Sequence, residues 1–406
     1  MKKKYAIVGA SNRGYLMYAA ALAGRYSESA TLVGIYDTNP GRAGFVSHAC
    51  GDVPVFGSFE DMVNKSRPDT VIVTTVDAFH HEYIVKALEA GCDAIVEKPM
   101  TIDFEKARAI LDAERRTGRK VTVTFNCRYM PYVTRIKELL ADGIIGTVLS
   151  ADMEWMLDRD HGASYFRRWN RYLKKSGGLL IHKASHHFDM INWWLGSDPA
   201  EVHAFGALRV YGKAGSKRGE RCMGCEHAER CEFFYDLLKD EHSRRFYHDF
   251  ECYDGYLRDK CVFDEDIDMY DTMSVSVRYA NGAFLTYSLT AHSPYEGWKV
   301  SINGTNGRLE AQSFHSGQNA AESKEEIRIY NMRNEILTYE SLKASGGHGG
   351  GDERLLDMLI NGYEADPLGL VAGSWQGAMS CLIGAAANLS IQERRPVVIL
   401  DELNFI

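Results

Sequence analysis

Tyr5-Ala6-Ile7-Val8-Gly9-Ala10-Ser11-Asn12-Arg13-Gly14 is the stretch on which the fold turns. Four apolar residues run into a glycine, and a second glycine opens a helix-length segment to about Tyr26. A buried strand that becomes a helix through glycines is the setting of the dinucleotide fingerprint G-x-G-x-x-G. Its first glycine makes the tight turn, its second lets backbone approach a pyrophosphate, and its third lets helix pack on strand. Gly9, Ser11 and Gly14 take those places, with Asn12 and Arg13 at the helix start. The serine departs from the pattern, but it is small and its hydroxyl is a donor for phosphate. Asp37 ends the next apolar run, Thr31–Tyr36. An acid at that place accepts the ribose hydroxyls of NAD and repels the extra phosphate of NADP. Arg42 follows it and would soften that choice.

Working outward, Val71–Val73, Asp93–Val96 and Val121–Phe125 read as further buried strands, separated by helices at about His80–Ala90 and Asp103–Arg116. Near-continuous Val/Ile strands alternating with helices predict a parallel sheet covered on both faces, the doubly wound α/β pattern. After about Asn126 the pattern changes. Helices are expected at about Val133–Leu140, Ser185–Leu195, Asp352–Asn361 and Ser374–Gln392. Alternating runs cover Thr147–Trp155, Met273–Tyr279, Ala283–Thr290, Trp298–Asn303, Arg308–Ala311 and Glu326–Met332, and Asn281-Gly282 is a strong hairpin turn. This predicts a second, α+β domain with a mostly antiparallel sheet. Residues 209–271 are polar, aromatic and Cys-rich, and read as an insertion.

The 406 residues suit two domains, and 45% hydrophobic with 25% charged is an ordinary soluble mix. A net charge of -8 argues against a dedicated binder of nucleic acid or anionic lipid. The basic start Met1-Lys2-Lys3-Lys4 is followed by too short an apolar run for a signal peptide, and no run of about 18 apolar residues occurs. An odd count of 9 Cys argues against a disulfide framework and fits a reducing compartment, so a cytoplasmic protein is expected.

The strand ending in Glu97-Lys98-Pro99 carries a resemblance. It follows Thr75-x4-His80, Ala87-Leu88 and Gly91, and precedes Asn126-Cys127-Arg128-Tyr129-x-Pro131 and Gly143-x-x-Gly146. In that order these motifs resemble the glucose–fructose oxidoreductase / inositol dehydrogenase / rhizopine-catabolism (Gfo/Idh/MocA) family, over most of the chain and least in the insertion. The resemblance implies an NAD-binding Rossmann domain at 1–125 and a substrate and oligomerisation domain at 126–406, built on a large open sheet. It implies that the nicotinamide lies between them, with Thr75, His80, Glu97 and Arg128 joining the cofactor residues. It also implies homodimers or homotetramers packed through the sheet's exposed face, which would otherwise leave an apolar patch in water.

Members of this family oxidise a secondary alcohol of a sugar or cyclitol, or reduce the ketone. Lys98 matches the lysine that contacts the reacting hydroxyl, and a partly dry cleft would lower its basicity to suit proton transfer. Gly177-Gly178-Leu179-Leu180-Ile181-His182-Lys183-Ala184-Ser185-His186-His187-Phe188-Asp189 resembles the family's G-G-x-L-x-D-x-G-x-H-x-x-D. His186 falls on the catalytic histidine and Asp189 on the acid after it. His182 stands where the family has aspartate, and a second imidazole does not orient His186 as an acid would. Lys183 is an added cation. The expected catalytic set is Lys98, His182, Lys183 and His186, with His187 structural.

Arg168 and Trp169 suit a sugar, by forking onto hydroxyls or a carboxylate and by stacking; packing between domains is the alternative. In Gly346-Gly347-His348-Gly349-Gly350-Gly351 the backbone is free to approach a ligand, and His348 is the functional side chain. Asp352 would cap the next helix.

Five cysteines fall between Cys222 and Cys261. Cys222-x2-Cys225 is a metal half-site that Cys231 and Cys261 would complete as a structural zinc tetrathiolate. Cys252 and His227 are spare ligands, and an iron–sulfur cluster is the runner-up. Cys50, Cys92, Cys127 and Cys381 read as core filler. Three functions follow: an NAD-dependent dehydrogenase of a sugar, glycoside or cyclitol; an NAD-recycling glycosidase working by transient oxidation and elimination; and a non-enzymatic sensor, against which Lys98 and His186 speak.

Overall fold

In the computed structural model, which describes residues 2–215, 219–321, 324–362 and 365–404, the first five strands lie parallel. They are β1 (Lys3–Val8), β2 (Ala30–Tyr36), β3 (Thr70–Val73), β4 (Asp93–Val96) and β5 (Val121–Val123), side by side in the order β5-β4-β3-β1-β2. Helices on both faces bury the strands from two sides, which is why β3 is apolar without alternation. The strand order reverses between β1 and β3, and the crevice at their carboxyl ends is where such sheets bind ligands. Helices Pro40–Ala49 and Phe59–Ser66, between β2 and β3, escape the sequence reading. The first buries only Ala43 and Val46, so it shows almost no apolar face.

The second sheet holds β6 (Val148–Asp158), β7 (Pro199–Ala207), β8 (Thr272–Tyr279), β9 (Phe284–Ser293), β10 (Gly297–Gly304), β11 (Gly307–Phe314), β12 (Lys324–Asn331) and β13 (Ile336–Leu342). With β15 (Val397–Val398) it runs β13-β12-β11-β10-β6-β9-β8-β7-β15, antiparallel except for the β6–β9 pair. In β8, Met273, Val275, Val277 and Tyr279 point into the core, where helices Ser185–Leu195 and Ser374–Glu393 cover the sheet. Gly384 lets the second of these helices close on the turn Leu179–His182, since a Cβ would stand 2.1 Å from the Leu180 carbonyl.

The open face differs from expectation. Thr272, Ser274, Ser276, Arg278, Thr286 and Ser288 are exposed on β8 and β9, while Phe284 and, on neighbouring β7, Phe205 are exposed apolar side chains. Along β8 and β9 it is mostly polar, because alternation has put Ser and Thr outward on both strands.

The chain also crosses back. β14 (Ala372–Gly373) pairs antiparallel with β5, and helix Gly351–Asn361 sends Leu355, Leu356 and Met358 into the core under β1 and β2. The insertion has more core than its polarity predicts: Tyr211, Phe233, Leu237, Phe246 and Val262 are buried. Its neck is closed by Asp271, whose carboxylate accepts the N–H groups of Arg209, Val210 and Tyr211. Among the described residues no helix is long and apolar enough to cross a membrane.

Candidate active site

The nucleotide end is shaped by steric exclusion. Gly9 has φ +94° and donates its N–H to the Tyr36 carbonyl at 2.8 Å; a Cβ on it would stand 2.7 Å from the Thr74 backbone. A Cβ on Gly14 would stand 2.6 Å from the Gly9 carbonyl. Ser11 Oγ accepts the Gly14 N–H at 3.0 Å, leaving its hydroxyl proton to donate. Asp37 accepts the Ala10 N–H and the Asn39 N–H, each at 2.6 Å, and burial raises its carboxyl above the ordinary value. Two of a carboxylate's roughly four acceptor positions are thus filled, and two remain for ribose hydroxyls. These residues fit a dinucleotide.

Other expected cofactor residues turn inward. Arg13 donates to Glu97 at 2.8 Å and twice to Asp352 at 2.9 Å, and Glu97 also accepts from Tyr18 at 2.7 Å. His80 faces the Pro99 and Thr75 carbonyls at 2.8 and 3.0 Å. Arg128 is buried in a two-bond pair with Asp189, at 2.8 and 2.6 Å, and donates to the Gly369 carbonyl. Burial demands partners for such groups, so these side chains brace the loop and the Glu97-Lys98-Pro99 turn. Asn12 Oδ1 lies 2.6 Å from His242 Nε2, and Arg42 pairs with Asp254; both partners come from the insertion. Thr75 stays half-buried at the strand end.

Lys98 donates to the His182 carbonyl at 2.9 Å, and burial pulls its amine down to about 8. His182 Nδ1 lies 2.6 Å from Asp77 Oδ2. Burial raises the Asp77 carboxyl strongly and lowers the His182 imidazole, which nearby Lys98 and Arg168 lower further. Each shift favours the uncharged form of its group. Sequence reasoning missed Asp77; its only signal was a position inside the Thr75-x4-His80 spacing. The carboxylate that the family pattern places at 182 arrives here from 77. Among the described residues His182 Nε2 has no hydrogen-bond partner. Tyr165 and Trp169 stand edge-on to its ring, at 5.6 and 5.4 Å, and Arg168 lies 4.8 Å over Tyr165.

A cavity of about 490 Å³ adjoins this cluster, lined by His161, Lys183, His186, His187, Glu296, His315 and His348 among others. Of these, His161, Glu296 and His315 were not legible beforehand. His161 bridges Glu296 Oε2 at 2.7 Å and the Tyr165 hydroxyl at 2.9 Å. Lys183 lies 3.9 Å from Glu296. His187 stacks on Trp155 at 3.6 Å and bonds the Tyr287 hydroxyl at 2.7 Å, a structural arrangement. Burial, then the Lys98 charge, lower the His186 pKa well below the usual imidazole range, and its buried Nδ1 has no partner. His348, at φ +47°, brings its ring 6.0 Å from His186 and its Nδ1 3.1 Å from Asp352. Asp352 does not cap its helix, whose N-cap is Gly350; it binds Arg13, His348 and Asn126 instead.

Cys222, Cys225, Cys231 and Cys261 all line one cavity of about 20 Å³, and no cysteine forms a disulfide. Pairing of Arg221 with Lys260 brings the two ends of the cluster together. The closed tetrathiolate expected from the spacing is nevertheless not assembled: among the described residues no three His, Cys, Asp or Glu side chains are arranged to hold a metal. Burial raises the Cys222 thiol, and neutral thiols gain nothing by converging. Cys252 is exposed, away from that cavity, whereas His227 lines it.

Comparison with known proteins agrees with this geometry. The profile of the oxidoreductase family's NAD-binding Rossmann fold matches residues 3–125, and that of its C-terminal alpha/beta domain matches residues 137–399. The chain belongs to the Gfo/Idh/MocA oxidoreductase family, whose fold is the one described. It is 39% identical to the oxidoreductase YteT of Bacillus subtilis (strain 168), over 97% of each chain. It is 30% identical to inositol 2-dehydrogenase of Rhizobium meliloti (strain 1021), over 52% of this chain and 60% of that protein. Levoglucosan dehydrogenase, solved with NADH and levoglucosan, shares the fold with a TM-score of 0.70 at 18% identity, covering 98% of this chain and 100% of that one.

Proposed function

We propose that the protein transfers a hydride between NAD and a secondary alcohol or ketone of a sugar, glycoside or cyclitol. The observation that carries this is the Lys98 amine of lowered basicity, bonded to the carbonyl of His182, whose ring meets Asp77, with Lys183 and His186 of the same segment lining the adjoining cavity. NAD, when bound, supplies the hydride acceptor. Lys98 takes the proton of the reacting hydroxyl. Lys98 releases it again as its lowered basicity allows, while Asp77 orients His182, whose carbonyl holds the amine in place. Neutral His186 hydrogen-bonds a hydroxyl, and Lys183, Glu296 and His161 hold further hydroxyls. Arg168, Trp169 and His348 line the approach. Asp37 favours NAD over NADP. The names inositol 2-dehydrogenase and levoglucosan dehydrogenase support a polyhydroxylated substrate. A panel of sugars, glycosides and inositols with NAD, followed by NADH absorbance, is expected to find at least one reductant. A panel-wide failure in a protein that also binds no dinucleotide overturns the proposal.

Packing of the insertion against the nucleotide turn favours a second reading, in which NAD is retained and recycled by a glycosidase. Mass spectrometry of the purified protein distinguishes the two: a retained dinucleotide supports the second. Exposed Phe205 and Phe284 on the sheet's open face support a homodimer or homotetramer, and unpaired cysteines support a cytoplasmic setting. The shared cavity of Cys222, Cys225, Cys231 and Cys261 supports a structural zinc that would draw these thiols together as thiolates. One equivalent of zinc is expected in protein purified without added metal; less than about a tenth, with free thiols, removes the idea.

A further inference from the structure

The insertion reaches the end of β2, where cofactor choice is made, and it does so through directed contacts. Phe250 accepts the Asn39 side-chain N–H on its carbonyl at 3.0 Å, and Asn39 is the residue whose backbone N–H holds Asp37. Phe250 and Tyr253 press on Gly41 so closely that a Cβ there would stand 2.5 and 2.6 Å from their rings. Phe246 packs against Tyr15 and Phe45, at 6.2 and 5.8 Å between ring centres. Asp254, carried in by this packing, pairs with the guanidinium of Arg42. Arg42 is the cation next to Asp37, the kind of residue that accommodates a 2′-phosphate.

We propose that Asp254 is a specificity-determining residue: by pairing with Arg42 it withholds that guanidinium from the 2′-phosphate of NADP. The inference rests on the reading of this crevice as a dinucleotide site. An arginine presents several donors and one positive charge. With Asp254 against it, the charge is neutralised and one guanidinium nitrogen is engaged, so an incoming phosphate would have to displace a carboxylate. Asp254 adds a second negative charge to that of Asp37, near enough to raise the Asp37 carboxyl. A 2′-phosphate therefore meets two carboxylates and a cation already paired, whereas the 2′-hydroxyl of NAD needs only the acceptor positions left on Asp37.

The test is dinucleotide binding, measured by calorimetry with NAD and with NADP on the full-length protein. Asp254→Asn keeps the side chain's shape and removes its charge. It is expected to tighten NADP binding by about tenfold or more, the scale of one freed charge-assisted contact, with NAD affinity within about threefold. Arg42→Ala alone is expected to change NADP binding little, because that guanidinium is already engaged. The double variant Asp254→Asn, Arg42→Ala should lose the gain. An unchanged NAD-to-NADP ratio in a folded Asp254→Asn protein, or an equal gain in the double variant, overturns the inference alone. Wild-type protein that binds neither dinucleotide overturns the underlying reading and this inference with it.

Discussion

Burial strips solvation from the Lys98 ammonium, and the Asp77 and Glu97 carboxylates restore only part of it, so the amine titrates at about 8. The neutral amine accepts a hydroxyl proton. Its folded pKa lies below that of a free lysine, so the active form grows as pH rises through about 8. The rate of alcohol oxidation should rise over that range. Lys98→Ala should lower turnover by roughly 10²–10⁴ and abolish this limb, with NAD affinity near normal. A variant that keeps a tenth of wild-type turnover and the same pH limb would exclude Lys98 as the proton acceptor. Lys98, His182, Lys183 and His186 could be proposed from sequence because each sits in an ordered motif. Asp77 was not: its role is a 2.6 Å contact with a ring 105 positions away, which no local pattern announces.

At the level of elements, legibility followed burial. β8 alternates strictly and reads as a strand, whereas β13, exposed along most of its length at the sheet edge, offers no period to read. The insertion was not legible as a structure, since its core is shared outward: Tyr211 and Phe233 pack on Phe166 and His292 of the second domain, and Phe246 on the Rossmann domain. Phe246 shows the consequence. It is fully buried against Tyr15 and Phe45, so Phe246→Ala removes packing from both units at once. A cost of about 3–5 kcal/mol is expected, the usual range for a buried Phe→Ala change. Because the loss falls at a junction, residues 209–271 should open before the rest. Limited proteolysis should show cleavage there at temperatures where the near-UV spectrum is still native. Cleavage elsewhere first, or a loss under about 1 kcal/mol, would mean the insertion stands without that contact.

Across the whole molecule, one carboxylate joins parts far apart in sequence. Asp352 lies on the helix that crosses back to the Rossmann domain. It receives Arg13 from the nucleotide turn, Asn126 from the crossover and His348 from the glycine-rich segment. Its side chain is 15% exposed. Burial alone would raise its pKa, but hydrogen bonds from His348 and Arg13, with the Arg13 charge, hold the carboxyl far below the usual carboxylate range. Asp352→Asn leaves the Arg13 guanidinium held by Glu97 alone and loosens both loops that border the cleft. Removing one member of a largely buried pair costs about 3 kcal/mol, so a lower melting temperature and weaker NAD binding are expected together. Glu353→Gln, one residue on, removes an exposed partner of Arg25 and should change stability by under about 0.5 kcal/mol. The pH dependence has a definite sign. A carboxyl depressed by folding stabilises fully above its unfolded value of about 3.9 and progressively less below it. The stability gap between wild type and Asp352→Asn should therefore be constant near neutrality and narrow as pH falls below about 4. A gap that widens in acid, or an Asp352→Asn protein as stable as Glu353→Gln, would show that the domains are held together by packing and not by this carboxylate.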